Sequence, residues 1–170
     1  TIPTIAATCA ATSALSIVYD DNGTYEKDIY FETNPNLVIV PPEVIANAPD
    51  EYLISGIFDS LSKWYEGRAV FKAIENPDIY VTTAIELARM LNDMMLEHAQ
   101  EAVASAKQSR IGKALLDVID LNIYMTGVIQ SLGIKNCRAA AAHPIHNGLT
   151  IIKESHEILE LLSHSRKNAT

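Results

Sequence analysis

The chain has 170 residues, of which 48% are hydrophobic and 20% charged, so it is long and apolar enough for one domain with a real core. Its formal net charge of −8 and isoelectric point near 5.0 argue against nucleic-acid partners, because nonspecific nucleic-acid binding needs clustered lysine and arginine. We identify no apolar stretch of the roughly 18 residues that span a bilayer, and no signal-peptide pattern, so we expect no membrane partner and a cytoplasmic location.

The first forty residues are predicted to be mostly extended. The segments SALSIVYDD, TYEKDIYFE and NLVIV are rich in β-branched and aromatic residues, and DDNG at 20–23 is typical of a hairpin turn between the first two. We therefore expect extended structure over residues 14–40. Three strands alone do not make a stable sheet in water, so this part is predicted to be the edge of a larger unit.

The pattern becomes helical at the paired prolines 41–42, where a short helix is predicted to begin. Apolar residues then recur at helical spacing, namely Leu53, Ile57, Leu61 and Trp64. The segments 76–107 and 109–133 are long enough for several helical turns each, and Gly133 is a predicted C-cap. We expect residues 43–166 to be almost entirely helical, which gives a mainly α fold with a small β segment.

Asp59 is an acidic residue within a largely apolar helical stretch, GIFDSLSKWYEG at residues 56–67. A buried carboxylate needs a partner. One interpretation is that Asp59 pairs with Lys63, four residues later, on the solvent side of the helix. The other interpretation is that Asp59 is a metal ligand.

Two histidines, His143 and His146, follow four alanines in RAAAAHPIHNGLT at residues 138–150. Histidines three residues apart on a helix are often core or surface residues, and two imidazoles alone make an incomplete metal site. With one carboxylate they form a ligand set that suits zinc or ferrous iron, with positions open for substrate, but a third protein ligand is then required. Cys9 and Cys137 match no C-x-x-C pattern and are predicted to be free thiols.

Four segments follow one another in the order of a known family. GIFDSLSKWYEG fits the pattern G-x-x-D-x-L-x-x-[WY]-[FY]-E, and AHPIHNGLT fits A-H-x-[IV]-H-N-G-[FL]-T. PTIAATCAATSALSIVY and NPNLVIVPPEVIANAP match in the same order. Over nearly its whole length the chain resembles the iron-containing alcohol dehydrogenases, in their glycerol dehydrogenase-like branch with its hydroxycarboxylate dehydrogenase-like relatives.

The resemblance implies a two-domain enzyme of the dehydroquinate synthase-like fold, with an N-terminal α/β domain that binds NAD(P) and a helical domain that holds a divalent metal, zinc or iron. Residues 1–41 are then expected to be the closing strands of the nucleotide domain, and residues 42–170 a truncated metal-binding domain. The family's Gly-rich dinucleotide loop lies upstream of such a segment. We therefore expect a middle fragment of the enzyme.

The implied reaction is hydride transfer between NAD(P) and a small secondary alcohol, either glycerol or another polyol or a 2-hydroxy acid, to give the ketone. A homo-oligomer is possible. The alternative is a catalytically inactive, truncated or degenerate paralogue that acts as a helical structural or oligomerisation module.

The resemblance also assigns the metal site. Asp59 matches the metal-binding aspartate of the family and His143 its first metal-binding histidine. His146 matches a second histidine that borders the cleft, where it would relay a proton during catalysis. The last histidine ligand of the family corresponds to His164, which lies a few residues later than usual and lacks the glycine that normally follows. The usual spacing falls on Glu160, and His156 is a further candidate. The remaining alternative is that the third ligand is absent.

Cys9 stands where glycerol-oxidising relatives have an aspartate that helps to bind polyol hydroxyls, in S-T-D-A-P-T-S-A. Its replacement resembles relatives that reduce 2-oxo acids, whose negative charge an aspartate would repel. The alternative for Cys9 is a small buried apolar residue. Thr12 and Ser13 match the cofactor-side T-S pair of the family, so we expect them to contact the nicotinamide or a phosphate of NAD(P).

Overall fold

The structure is a computed structural model that describes residues 1–133, 148 and 151–152. It begins with a short 3₁₀ turn, Ala10–Thr12, and continues with two strands and five helices in the described part. Their bounds are β1 Leu15–Tyr19, β2 Tyr25–Tyr30, α1 Pro42–Ala46, α2 Asp50–Phe71, α3 Ile79–Ala106, α4 Lys113–Asp120 and α5 Thr126–Gly133. A π-helical turn, Leu121–Met125, joins α4 to α5. The mainly α fold with a small β segment is confirmed.

The first two predicted strands form an antiparallel hairpin in which Leu15 lies opposite Tyr30. The carboxylate of Asp20 accepts hydrogen bonds from the backbone N–H groups of Thr24 at 2.8 Å and Asn22 at 2.9 Å. These hydrogen bonds, that of Thr24 first, lower the pKa of Asp20. Gly23 has φ 78°, a left-handed conformation that glycine adopts without strain. The DDNG hairpin prediction is confirmed.

The third predicted strand, at NLVIV, is wrong for the described residues. The only sheet there contains β1 and β2. Ile39 N–H donates to the Thr1 carbonyl oxygen at 3.0 Å, and the Thr1 amine donates to the Leu37 carbonyl oxygen at 2.9 Å. This segment therefore hydrogen-bonds to the first residue of the chain and does not pair with a β-strand in the described part. Leu37 and Ile39 are consequently exposed.

The predicted helices form around α3, which contacts α2, α4 and α5. Its first turn is capped by the Asp78 carboxylate, which accepts from Val81 N–H at 2.8 Å. Fully buried alanines of α3, at positions 84, 88 and 102, allow close helix packing, while Leu91 and Met95 fill the core. Helices are confirmed up to Gly133. Its predicted C-cap role and the predicted helix over 134–166 involve residues outside the described part, apart from 148 and 151–152.

One expectation about membranes needs correction. The continuous helix Lys113–Gly133 is long and apolar enough to cross a bilayer, which the sequence analysis did not identify. However, 56% of its apolar window is buried inside the described fold. Leu115, Ile119 and Ile129 are fully buried there. A helix that is hydrophobic on most sides is expected in the centre of a folded core, so its composition is weak evidence for a membrane span.

A buried polar junction ties the start of the chain to α2 and the π turn. The side-chain amide of Asn122 donates to the Ala6 carbonyl oxygen at 3.1 Å, and its oxygen accepts from the Ser60 hydroxyl at 2.7 Å. Gly56 lies against this junction. A Cβ there would overlap the Ala6 carbonyl oxygen and lie 2.6 Å from Asn122 Nδ2. Only glycine lets α2 come this close.

We predict that Gly56→Ala lowers the free energy of unfolding by about 1–3 kcal/mol, because the added methyl group overpacks a junction with rigid backbone. Gly67→Ala in the same helix is the control. Its Cβ would lie 3.3 Å from the flexible end of Ile85, and alanine favours helix by about 1 kcal/mol over glycine. Urea unfolding of the intact protein measures both variants, and equal effects would contradict the prediction.

Candidate active-site cleft

An open cleft of about 1560 Å³ is bordered by the segment around Cys9, the β1–β2 hairpin, α2 and α5. Its polar and ionisable lining in the described part includes Cys9, Ser13, Asp28, Glu32, Asp59, Ser62, Lys63 and Gln130. Three residues that the sequence analysis assigned to different roles therefore share this cleft: Cys9 for the substrate, Ser13 for the cofactor and Asp59 for the metal.

Asp59 is paired with Lys63, but the pair does not face solvent. Lys63 Nζ lies 3.4 Å from Asp59 Oδ1, as the i, i+4 interpretation predicted. The Lys63 side chain is only 1% exposed and that of Asp59 is 24% exposed, so the solvent-side part of that interpretation is wrong. The reason is that this face of α2 borders the cleft and the N-terminal segment. Asp59 as a metal ligand stays a prediction.

Cys9 is buried beside this pair, with 5% of its surface exposed. Burial has the largest effect on the Cys9 thiol and raises its pKa. Lys63 lowers this pKa, Asp59 raises it, and a hydrogen bond with the Thr126 side chain lowers it. Cys9 therefore lies within electrostatic range of both charged residues and is a neutral thiol at pH 7. Its burial agrees with the small apolar alternative, and its lining of the cleft agrees with a substrate role.

Thr12 and Ser13 differ in where their hydroxyl groups lie. The Thr12 hydroxyl is directed into the fold, 2.6 Å from the Ile123 carbonyl oxygen and 3.0 Å from that of Cys9, so it docks the 3₁₀ turn on the π turn. Ser13 borders the cleft, and its hydroxyl donates to Gln130 Oε1 at 3.1 Å. Contact of either residue with a cofactor stays a prediction.

The remaining predicted site residues, His143, His146 and His164, lie outside the described residues, as do the alternatives His156 and Glu160. Within residues 1–133, 148 and 151–152, no group of three histidine, cysteine, aspartate or glutamate side chains is placed to hold a metal ion. The described part of the chain therefore contributes one predicted ligand, Asp59.

The buried polar residues of the π turn and α5 were not predicted from the sequence. Asn122, Thr126 and Gln130 are all buried, and each hydrogen-bonds a group around the cleft or the junction beneath it. Thr126 and Gln130 are four residues apart in α5 and lie on one helix face, while Asn122 belongs to the π turn before it. That spacing was the signal in the sequence, and it marks the face that supports Cys9 and Ser13.

No protein-family model matches the chain, but comparison with known proteins finds relatives that are named as dehydrogenases. Hydroxycarboxylate dehydrogenase A of Escherichia coli is 37% identical over 158 residues, which cover 93% of this chain and 44% of the relative. Glycerol dehydrogenase of Pseudomonas putida is 38% identical over 157 residues, or 91% of this chain and 42% of the relative. The chain thus spans less than half the length of these relatives.

A solved structure agrees with these sequence matches. The crystal structure of a probable glycerol dehydrogenase from Sinorhizobium meliloti superposes with a TM-score of 0.80 at 32% identity, covering 91% of this chain and 43% of that one. The helical architecture with its two-stranded sheet accordingly matches part of the dehydroquinate synthase-like fold. By sequence and by structure, the chain fits the iron-containing alcohol dehydrogenase family, in its glycerol dehydrogenase-like branch.

Proposed function

We propose that this chain is a segment of a metal-dependent NAD(P) oxidoreductase that interconverts a small secondary alcohol and its ketone by hydride transfer. The observation that carries the proposal is the meeting of Asp59, Cys9 and Ser13 at one cleft. Relatives named glycerol dehydrogenase and hydroxycarboxylate dehydrogenase support the reaction class. A cytoplasmic location and a homo-oligomer belong to the same proposal.

Asp59 is the proposed metal ligand in the described part of the chain. Its carboxylate reaches the cleft wall and is partly exposed, which suits a hard oxygen ligand for zinc or iron. His143 and His164 complete the proposed ligand set, with Glu160 or His156 in place of His164 as alternatives. A divalent metal held there supplies a Lewis acid that stabilises the negative charge developing on the alcohol oxygen.

The other residues have positioning and proton-transfer roles in this proposal. Ser13, held in place by Gln130, offers its hydroxyl oxygen on the cofactor side of the cleft, where a fixed partner orients the nicotinamide for hydride transfer. Thr12 supports Ser13 by anchoring the preceding turn. His146 relays the alcohol proton outward. Cys9 presents a neutral thiol to the substrate, so it does not repel a carboxylate.

We predict that the intact metal-loaded protein containing this chain oxidises a 2-hydroxy acid with a higher kcat/KM than glycerol. The reason is that Cys9 replaces the aspartate that would bind polyol hydroxyls and repel an anionic substrate. Steady-state rates with NAD and NADP test this expectation. A strong preference for glycerol would refute the interpretation of Cys9. No turnover from a protein with stoichiometric metal would favour the inactive helical module.

Asp59→Asn is expected to weaken zinc binding by at least about tenfold, because a neutral amide replaces a charged ligand. Asp93→Asn on α3 is the matched control, since the Asp93 side chain is 62% exposed and pairs with Arg89 at the surface. Zinc affinity is measured by competition with a chelator of known affinity. Unchanged affinity in Asp59→Asn would remove Asp59 from the ligand set.

Cys9→Asp is expected to shift kcat/KM toward glycerol and away from 2-hydroxy acids by about tenfold or more, because the new carboxylate repels an anionic substrate across a weakly screened cleft. Cys9→Ser, which keeps a small neutral side chain, is expected to retain the original ratio. Metal content of each purified variant reports whether the site is intact. An identical substrate ratio in all three proteins would show that Cys9 does not set specificity.

A further inference from the structure

Lys63 is a buried cation that the proposed reaction does not use. Its side chain is 1% exposed, yet it lies at the cleft wall with Nζ 3.4 Å from Asp59 Oδ1. Burial of an ammonium group is unfavourable unless nearby groups compensate its lost hydration. A surface salt bridge would have satisfied an i, i+4 pair without that desolvation. Lys63 thus places a cationic group beside Asp59 at the wall of the cleft.

We propose that Lys63 supplies a fixed positive charge that selects an anionic substrate, a 2-hydroxy or 2-oxo carboxylate, over a neutral polyol. This inference rests on the proposed function. Asp59 and Lys63 together are close to neutral, but a divalent metal on Asp59 leaves this wall with a net positive charge. The Cys9 thiol, whose pKa burial raises, is neutral and does not offset that charge. The carboxylate of the substrate does offset it.

Lys63 acts through space, because the surrounding protein covers its side chain. Charges within a protein are screened less than charges in water, so a covered ammonium still attracts an anion in the adjoining cleft. Cys9 lines the same cleft, and the Lys63 charge opposes the rise in the pKa of its thiol that burial causes. The same field favours a carboxylate near Cys9.

The acidic residues of the cleft outside this pair lie toward the hairpin. Asp28 accepts hydrogen bonds from the hydroxyl groups of Tyr25 at 3.2 Å and Tyr30 at 3.3 Å, and exposed Glu32 follows β2. Both residues also line the cleft. The cleft therefore has an acidic side at the hairpin, and a metal on Asp59 would make the side at α2 cationic. This charge distribution would orient an anionic substrate with its carboxylate toward Lys63.

The test compares two ligands of nearly equal shape, lactate and its neutral amide lactamide, on the intact zinc-loaded protein. Isothermal titration calorimetry gives the ratio of the two dissociation constants. The wild type is expected to prefer lactate, and the neutral variants Lys63→Met and Lys63→Gln are expected to lose at least tenfold of that preference. Lys63→Arg keeps the charge and is expected to retain it. Lys72→Met, at an exposed position just after α2, is the control and leaves the ratio unchanged.

The ratio of the two dissociation constants distinguishes a charge effect of Lys63 from a structural effect. If Lys63 serves only to hold Asp59, its replacement weakens lactate and lactamide alike, and an unchanged ratio overturns the inference. A zinc-loaded wild type without preference for lactate also overturns it, whether or not the variants fold. Zinc content is measured on every sample. A wild type that binds neither zinc nor ferrous iron refutes the proposed function, and this inference falls with it.

Discussion

The fold depends on one buried contact, the hydrogen bonds of Asn122 with Ala6 and Ser60 beside Gly56. This contact joins three parts of the chain that are far apart in sequence: the N-terminal segment, α2 and the π turn. Without the Asn122 amide, the buried carbonyl oxygen of Ala6 would lack a hydrogen-bond donor. The junction is therefore stabilised by hydrogen bonding as well as by packing. Cys9 and Ser13 come a few residues after Ala6, so the hydrogen bond to Ala6 also fixes the segment that places them at the cleft.

The same junction explains why polar and charged side chains accumulate on one side of α2. Ser60 hydrogen-bonds Asn122 below the cleft, while Asp59 and Lys63 border the cleft itself. Gly56, one turn earlier, lets the N-terminal segment approach the helix. The apolar core around α3 supports this face from behind and is separate from it. The stabilising junction and the residues at the cleft therefore lie close together on α2.

Local patterns in the sequence predicted most of the described fold. Apolar residues at helical spacing located α2, and the length of the segment 76–107 indicated α3. DDNG located the hairpin because the turn needs a residue at positive φ. The third strand was not predictable in this way, since a strand exists only where another edge pairs with it, and NLVIV has none in the described part of the chain. The π turn also escaped prediction, because apolar spacing continues through it without interruption.

The candidate site residues could likewise be predicted only as far as local sequence patterns reach. The spacing of Asp59 and Lys63 showed that they share a helix face, but spacing alone does not tell whether that face meets water or other parts of the protein. Cys9 and Ser13 were identified through a motif, and only the tertiary structure brought them to Asp59. The supporting role of Gln130 depends on a contact across 117 positions of sequence, beyond the range of any local pattern.

The π turn sets the orientation of α5. The Thr126 N–H donates to the Leu121 carbonyl oxygen, five residues back, so this turn holds one residue more than an α-helical turn. One residue corresponds to a rotation of roughly 100° about the helix axis. Without the extra residue, the face that carries Gln130 would point away from Ser13, although the helix would remain apolar and continuous. The position of Gln130 beside Ser13 therefore depends on the number of residues in this segment as well as on their polarity, and a single-residue deletion there would turn Gln130 away from the cleft.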